Sequence, residues 1–142
     1  MQKLSKIVYT GSATCTGGRG GKVVSSDGNL NVNLSMPKEL GGDGGSGTNP
    51  EQMFAGGYAA CYTSALMLVA SKQKITLPEN IKVTGEASLG PVDGGFALAM
   101  KLVIESGDLD KDKMQELADE AHRVCPYSNA TRGNIEVEIS VI

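Results

Sequence analysis

Thr48–Gln73 reads TNPEQMFAGGYAACYTSALMLVASKQ, and between Glu51 and Lys72 it carries no formal charge. Thr48-Asn49-Pro50-Glu51 spells a helix start. Asn49 is suited to cap the first backbone N–H groups, and Pro50 to the first helical position, where its missing N–H is no loss. Glu51 then falls in the first turn, where the helix dipole favours an acid. The rest of the stretch is apolar almost all round, the pattern of a helix buried in a core. A membrane span needs about 20 predominantly apolar residues. Gln52, Thr63, Ser64, Ser71 and the Gly56-Gly57 pair interrupt that character, and strand-rich flanks offer to bury the helix instead. Cys61 lies at its middle.

Upstream, residues 3–15 alternate irregularly and predict a strand. Thr16-Gly17-Gly18-Arg19-Gly20-Gly21 predicts a turn with freedom for positive φ. Lys22–Ser26 and Leu30–Ser35 predict a hairpin about Asp27-Gly28-Asn29, and Pro37–Gly47 a glycine-rich irregular loop, mobile or pinned. Downstream, Ile81–Leu89 and Phe96–Glu105 predict two strands joined through Gly90–Gly95. Phe96, Leu98, Met100, Leu102 and Ile104 fall on one face of the second. Asp108–Val124 predicts a helix with acids early, Arg123 late, and a stripe of Met114, Leu117, Ala118, Ala121, Val124 and Cys125. Pro126 is expected to stop it. Ile135–Val141 predicts a last strand. Three strands, helix, two strands, helix, strand is an α+β order, with antiparallel sheets around the long central helix.

At 142 residues the chain reads as a single domain, 1–142, able to bury a core without staples. A net charge of −3, two Phe, four Tyr and no Trp argue against nucleic-acid binding, which needs clustered Lys and Arg. Three cysteines, Cys15, Cys61 and Cys125, do not form a secreted disulfide framework. The N-terminus MQKLSKIVYTG has no signal-peptide run. Both features point to a reducing cytoplasm and away from a membrane.

Cys61 and Cys125 each fall on the core-facing side of a helix. They are either small buried hydrophobes or a reactive thiol and its disulfide partner, which requires Cα atoms about 4.4–6.8 Å apart. Cys15, on a strand, reads as packing. Cys61 lies about ten residues into its helix, beyond the dipole's reach, so a thiolate there needs a cation. Arg19 is either a solvated turn residue or that cation; Glu51 is either a helix-start acid or the bidentate partner of its guanidinium. His122, the single histidine, is a helix-face residue near Cys125; zinc ligation is disfavoured by the absence of CxxC or HxxxH spacing. GGRGGK is not a phosphate loop, because Thr16 and Val23 occupy positions that need Gly and Ser or Thr. Gly57-Tyr58-Ala59-Ala60-Cys61 is not a nucleophile elbow.

TNPEQMFAGGYAACY around Cys61 and AHRVCPYS around Cys125 resemble the organic hydroperoxide resistance proteins, a branch of the family that includes osmotically inducible protein C. The resemblance spans essentially the whole chain, with GGRGG at Gly17–Gly21 and DLDKDKMQELADEAH in the second helix. Gly56 stands where alanine is usual and Tyr62 where phenylalanine is common. The resemblance implies a thiol peroxidase acting on organic hydroperoxides, without metal or flavin. By position, Cys61 is the peroxidatic thiolate, Cys125 the resolving thiol, and Arg19 and Glu51 the activating pair. It further implies an intertwined homodimer that draws electrons from a lipoyl or other dithiol. The alternative is a redox-sensing disulfide switch without turnover.

The central helix sets two expectations for the site. Met53, Phe54, Tyr58, Leu66 and Met67 are candidates for an apolar pocket favouring bulky peroxides. Glu51 and Cys61 are ten positions apart on one helix, about 15 Å along its axis, farther than one guanidinium bridges. Either Glu51 serves the partner's Cys61, or the helix breaks at Gly56-Gly57.

Overall fold

Helix α1, Pro50–Lys72, runs unbroken through Gly56-Gly57. The computed structural model describes Met1–Ile142, and its chain divides into two units, Met1–Pro50 and Glu51–Ile142.

The first unit is a three-stranded antiparallel sheet, β1 (Ala13–Thr16), β2 (Lys22–Ser25) and β3 (Asn31–Asn33), in that order. The β2–β3 hairpin turns at Asp27-Gly28-Asn29 as the sequence predicts. Gly28 takes a φ of +76°, and the Asp27 carboxylate accepts the Asn29 backbone N–H at 3.0 Å. Residues 3–12 do not extend β1 as expected. Leu4 and Val8 are 82% and 89% exposed, and the pairing with β2 ends just before β1, where Ser12 O accepts the Ser26 N–H at 3.0 Å. The loop after β3 is pinned, not loose. Ser35 N–H donates to Thr48 O, Gly47 N–H to Ser35 Oγ, and Gly44 N–H to Met36 O.

The second unit packs α1 and α2 (Lys111–Val124) with a sheet of β4 (Val83–Val92), β5 (Gly95–Ile104) and β6 (Val137–Val141). The β4–β5 hairpin is longer than expected. Gly90, Pro91 and Val92 stay paired, and Asp93-Gly94 alone makes the turn, with Gly94 at φ +86°. Its tip overshoots the core, so Phe96 is exposed while Met100, Leu102 and Ile104 are buried. β5 and β6 pair in parallel, whereas β4 and β5 are antiparallel. The parallel pair is possible because α2 and a further short helix, α3 (Pro126–Thr131), carry the chain back across. Pro126 therefore does more than stop α2: it occupies the first position of α3, where proline is favoured.

α2 begins as its sequence dictates. Asp110 caps it by accepting the Lys113 N–H at 3.0 Å, and Met114, Leu117, Ala118 and Ala121 are buried. Val124, expected on that stripe, is exposed, and Cys125 turns inward in its place. α1 buries Ala55, Tyr58, Tyr62, Ala65, Leu66, Val69 and Ala70 on one side. Its other side, with Gly56, Ala60, Ser64 and Leu68, is open in the single chain. Long and apolar enough to cross a bilayer by composition, α1 instead forms the centre of this unit's core. β4 approaches it so closely that a side chain at Gly85 would strike the Ala55 carbonyl at 2.5 Å.

Candidate active site

Phe54, Tyr58 and Cys61 fall at i, i+4 and i+7 on α1, one face of a 3.6-residue helix. Tyr58 is fully buried and Cys61 half-exposed. Cys125 is buried and extended (φ −65°, ψ 126°), closing α2 and opening α3 in one residue. That corner aims its side chain at α1, and the two sulfurs lie 3.9 Å apart. The thiols are both free. Cys125 is thus in the core, with its sulfur beside that of Cys61.

Burial pushes the Cys61 thiol above its usual range, and Cys125 adds to the rise. A hydrogen bond from the Tyr127 backbone N–H acts in the opposite direction. That N–H is available because Tyr127 is the second residue of α3, among the N–H groups that a helix start leaves without helical partners. Three rings cluster beside this stretch of α1. Tyr58 and Phe54 meet edge-on at 5.9 Å, and Tyr127 lies 5.6 Å from Tyr58 and 6.3 Å from Phe54. Leu66 and Met67, expected at such a pocket, belong elsewhere. Leu66 is buried in the core, and Met67 lines a separate hollow with Thr63, Ala70, Ile75 and Leu77.

Glu51 sits in the first turn of α1, in the same unit as both cysteines. Arg19 is half-buried in the 3-10 turn Gly18–Gly20 of the first unit. Its glycines are there for backbone reasons. Gly17 and Gly18 have φ of +80° and +58°, and a side chain at Gly21 would overlap the Thr16 carbonyl. Cys15 is exposed on β1, 3.8 Å from Gly18 O, and does not pack in a core as expected, since every β1 side chain is exposed.

His122 joins a network of hydroxyls. Its Nδ1 meets Ser128 Oγ at 2.9 Å, and that hydroxyl also accepts from Tyr58 OH at 3.0 Å. Tyr58 OH lies equally close to Thr131 Oγ1. Sequence reasoning missed Tyr127, Ser128 and Thr131 because it ended the helical region at Pro126. The signal was present: an extended residue followed by proline is as much a helix start as a helix stop.

Residues 42–140 match the family model described as OsmC-like protein. The chain belongs to the OsmC-like family. It is 50% identical, over 99% of each chain, to the organic hydroperoxide resistance protein of Xanthomonas axonopodis pv. citri. Among solved structures it resembles an organic hydroperoxide resistance protein from Legionella pneumophila, with 48% identity, 96% and 98% of the two chains covered, and a TM-score of 0.89. It also resembles OhrB of Bacillus subtilis, with 43% identity, 96% and 100% coverage, and a TM-score of 0.87. Glu51, Cys61 and Cys125 fall inside the stretch matched to the OsmC-like model. Arg19 lies outside it, in a region shared with the nearly full-length relatives.

Proposed function

We propose that this OsmC-like chain is a peroxidase that reduces organic hydroperoxides to alcohols through Cys61. The observation that carries the reading is the 3.9 Å approach of a half-exposed thiol to a buried one, in a chain half identical to an organic hydroperoxide resistance protein. The Cys61 thiolate attacks the distal peroxide oxygen. The O–O bond breaks, the sulfur gains the hydroxyl as a sulfenic acid, and the alkoxide leaves as the alcohol after taking a proton. Cys125 then attacks the sulfenic sulfur. Its thiol proton leaves with the hydroxyl as water, and a Cys61–Cys125 disulfide forms before a second peroxide can over-oxidise Cys61. A dithiol, of the lipoyl kind, restores both thiols by exchange.

Burial alone disfavours the Cys61 thiolate. Arg19 supplies the compensating cation and stabilises charge on the departing oxygen, and Glu51 holds the guanidinium in a bidentate pair. The whole of residues 1–142 acts as one peroxidase domain, as an intertwined homodimer in the cytoplasm. The exposed apolar arm before β1 and the open face of α1 support the dimer, because isolated chains rarely leave such surface bare.

Rapid mixing with tert-butyl or fatty-acid hydroperoxide, against hydrogen peroxide and with dihydrolipoamide as reductant, tests the reading. Turnover with organic peroxides at least about tenfold faster is expected, since each buried CH₂ of an alkyl tail contributes about 0.8 kcal/mol. Equal rates for the two peroxide classes would remove the preference. Disulfide formation without turnover would leave a redox switch in its place.

A further inference from the structure

The thiol mechanism leaves one buried polar cluster unused: Tyr58 on α1, His122 on the last turn of α2, and Ser128 and Thr131 on α3. Tyr58 and Ser128 are fully buried, and hydroxyls placed there cost stability unless they bond. Their placement around the cysteines is regular. His122 lies three residues before Cys125 and Ser128 three after, so the 2.9 Å His122–Ser128 bond is a staple across the corner at Cys125. Tyr58 lies three residues before Cys61, so its 3.0 Å bond to Ser128 ties α3 to α1 one turn from the sulfurs. The Arg132 guanidinium closes the same corner from outside, donating to the His122 carbonyl and to Asn129 Oδ1.

Cys125 needs such a staple. α3 has six residues, too short to hold its own position by helix formation. The direction of the Cys125 side chain depends on the angle between α2 and α3, because that residue belongs to the ends of both. A disulfide has its sulfurs about 2.05 Å apart, so the pair closes by about 1.9 Å from 3.9 Å. Cys61 sits inside a long helix that buries one face, whereas the corner at Cys125 is the part able to pivot.

We infer that Tyr58, His122 and Ser128 are positioning residues for Cys125. They hold the α2–α3 corner so that its sulfur faces Cys61 and captures the sulfenic acid ahead of a second peroxide. The reaction they favour is the loss of water from Cys61–SOH and Cys125–SH to give the disulfide. The reaction they disfavour is oxidation of Cys61–SOH to the sulfinic acid by a further hydroperoxide, which leaves as alcohol. This inference rests on the peroxidase reading for its consequence, though not for its geometry.

The experiment compares wild type with His122→Ala, His122→Asn, Ser128→Ala and Tyr58→Phe in two assays. In the first, the thiol–disulfide equilibrium of Cys61 and Cys125 is measured in mixtures of reduced and oxidised glutathione, with no peroxide present. His122→Ala, Ser128→Ala and Tyr58→Phe are expected to lower the equilibrium constant for the internal disulfide about tenfold, the scale of one buried hydrogen bond. His122→Asn, which keeps a polar group near the Nδ1 position, is expected to recover most of it. In the second, cumene hydroperoxide is added and acid-quenched samples are weighed by mass spectrometry. First oxidation of Cys61 in the His122 and Ser128 variants should stay within about twofold of wild type, while sulfinic acid accumulates at about tenfold lower peroxide. Tyr58→Phe keeps the ring and the core packing, so it reads the hydroxyl even where an alanine variant fails to fold. Folded variants with wild-type glutathione equilibria would overturn the inference. A shifted glutathione equilibrium in a protein that does not react with cumene hydroperoxide would sustain the positioning role and overturn the peroxidase reading instead.

Discussion

Cys61 and Cys125 carry the sharpest tests at the scale of single residues. Cys61→Ser is expected to abolish peroxide consumption. Cys125→Ser is expected to react once and then stall or over-oxidise, seen as sulfinic mass at Cys61. Cys15→Ser should be neutral in both assays, since that thiol is exposed on β1. The alkylation rate of Cys61 by iodoacetamide against pH reads its thiolate directly. Burial raises its pKa, so Arg19→Ala is expected to move the profile to higher pH, and an unmoved profile would remove Arg19 from the site. His122 titrates in the other sense. Burial first, and then the charge of Arg132, hold its pKa below 6.5, with Asp119 opposing them. Below about pH 6.5 the unfolded chain takes up a proton that the folded chain resists. Stability from this group is therefore complete above pH 6.5 and is lost as pH falls toward the folded value. Urea midpoints between pH 7.5 and 5 should fall for wild type and fall less for His122→Asn.

At the scale of elements, the glycines of α1 and β4 predict a graded series. Nothing lies within 4 Å of a side chain added at Gly56, so Gly56→Ala should stabilise by up to about 1 kcal/mol through helix propensity. A side chain at Gly57 would meet the Tyr127 hydroxyl at 3.1 Å. That hydroxyl is the far end of a partly exposed ring and can yield, so Gly57→Ala should change stability little. Gly85→Ala drives a methyl into the Ala55 backbone carbonyl, which cannot yield, and a loss of about 1–3 kcal/mol is expected. Thermal melts of the three variants give the order; Gly85→Ala as stable as wild type would contradict the close β4–α1 approach. Tyr62 donates to Ala118 O at 2.6 Å and ties α1 to α2. Tyr62→Phe should cost about 1 kcal/mol.

The whole molecule brings back the reach of Glu51. α1 is continuous from Pro50 to Lys72, so a break at Gly56-Gly57 does not bring Glu51 to its own Cys61. The separation of about 15 Å along the axis stands, and we propose that each Glu51 serves the other subunit. A heterodimer of a Cys61→Ser chain with a Glu51→Ala chain should hold one complete site and exceed both parents in activity. Purified heterodimers as inactive as the parents would place Glu51 within its own chain or outside the reaction. Removing residues 1–12, whose apolar side chains are bare in the single chain, should weaken the dimer, measurable by sedimentation at falling concentration.

The sequence by itself determined what local backbone chemistry governs. The start of α1, the Asp27-Gly28-Asn29 turn and the buried stripe of α2 are set by proline, glycine and helical spacing within a few residues of each other. It also singled out Cys61 and Cys125, by position on helices and by family resemblance, while leaving open whether they meet. Tertiary structure decided that, because their approach joins residues 64 positions apart, and no local preference specifies such a distance. The same holds for the parallel β5–β6 pair, where register comes from the path of α2 and α3 across the sheet. It holds for the arm before β1, which alternates like a strand yet forms none in the single chain. His122 shows the difference most plainly. As a lone histidine its sequence context assigned it no task, and only the folding of α3 beside α2 and α1 gives its ring the Ser128 hydroxyl as a partner.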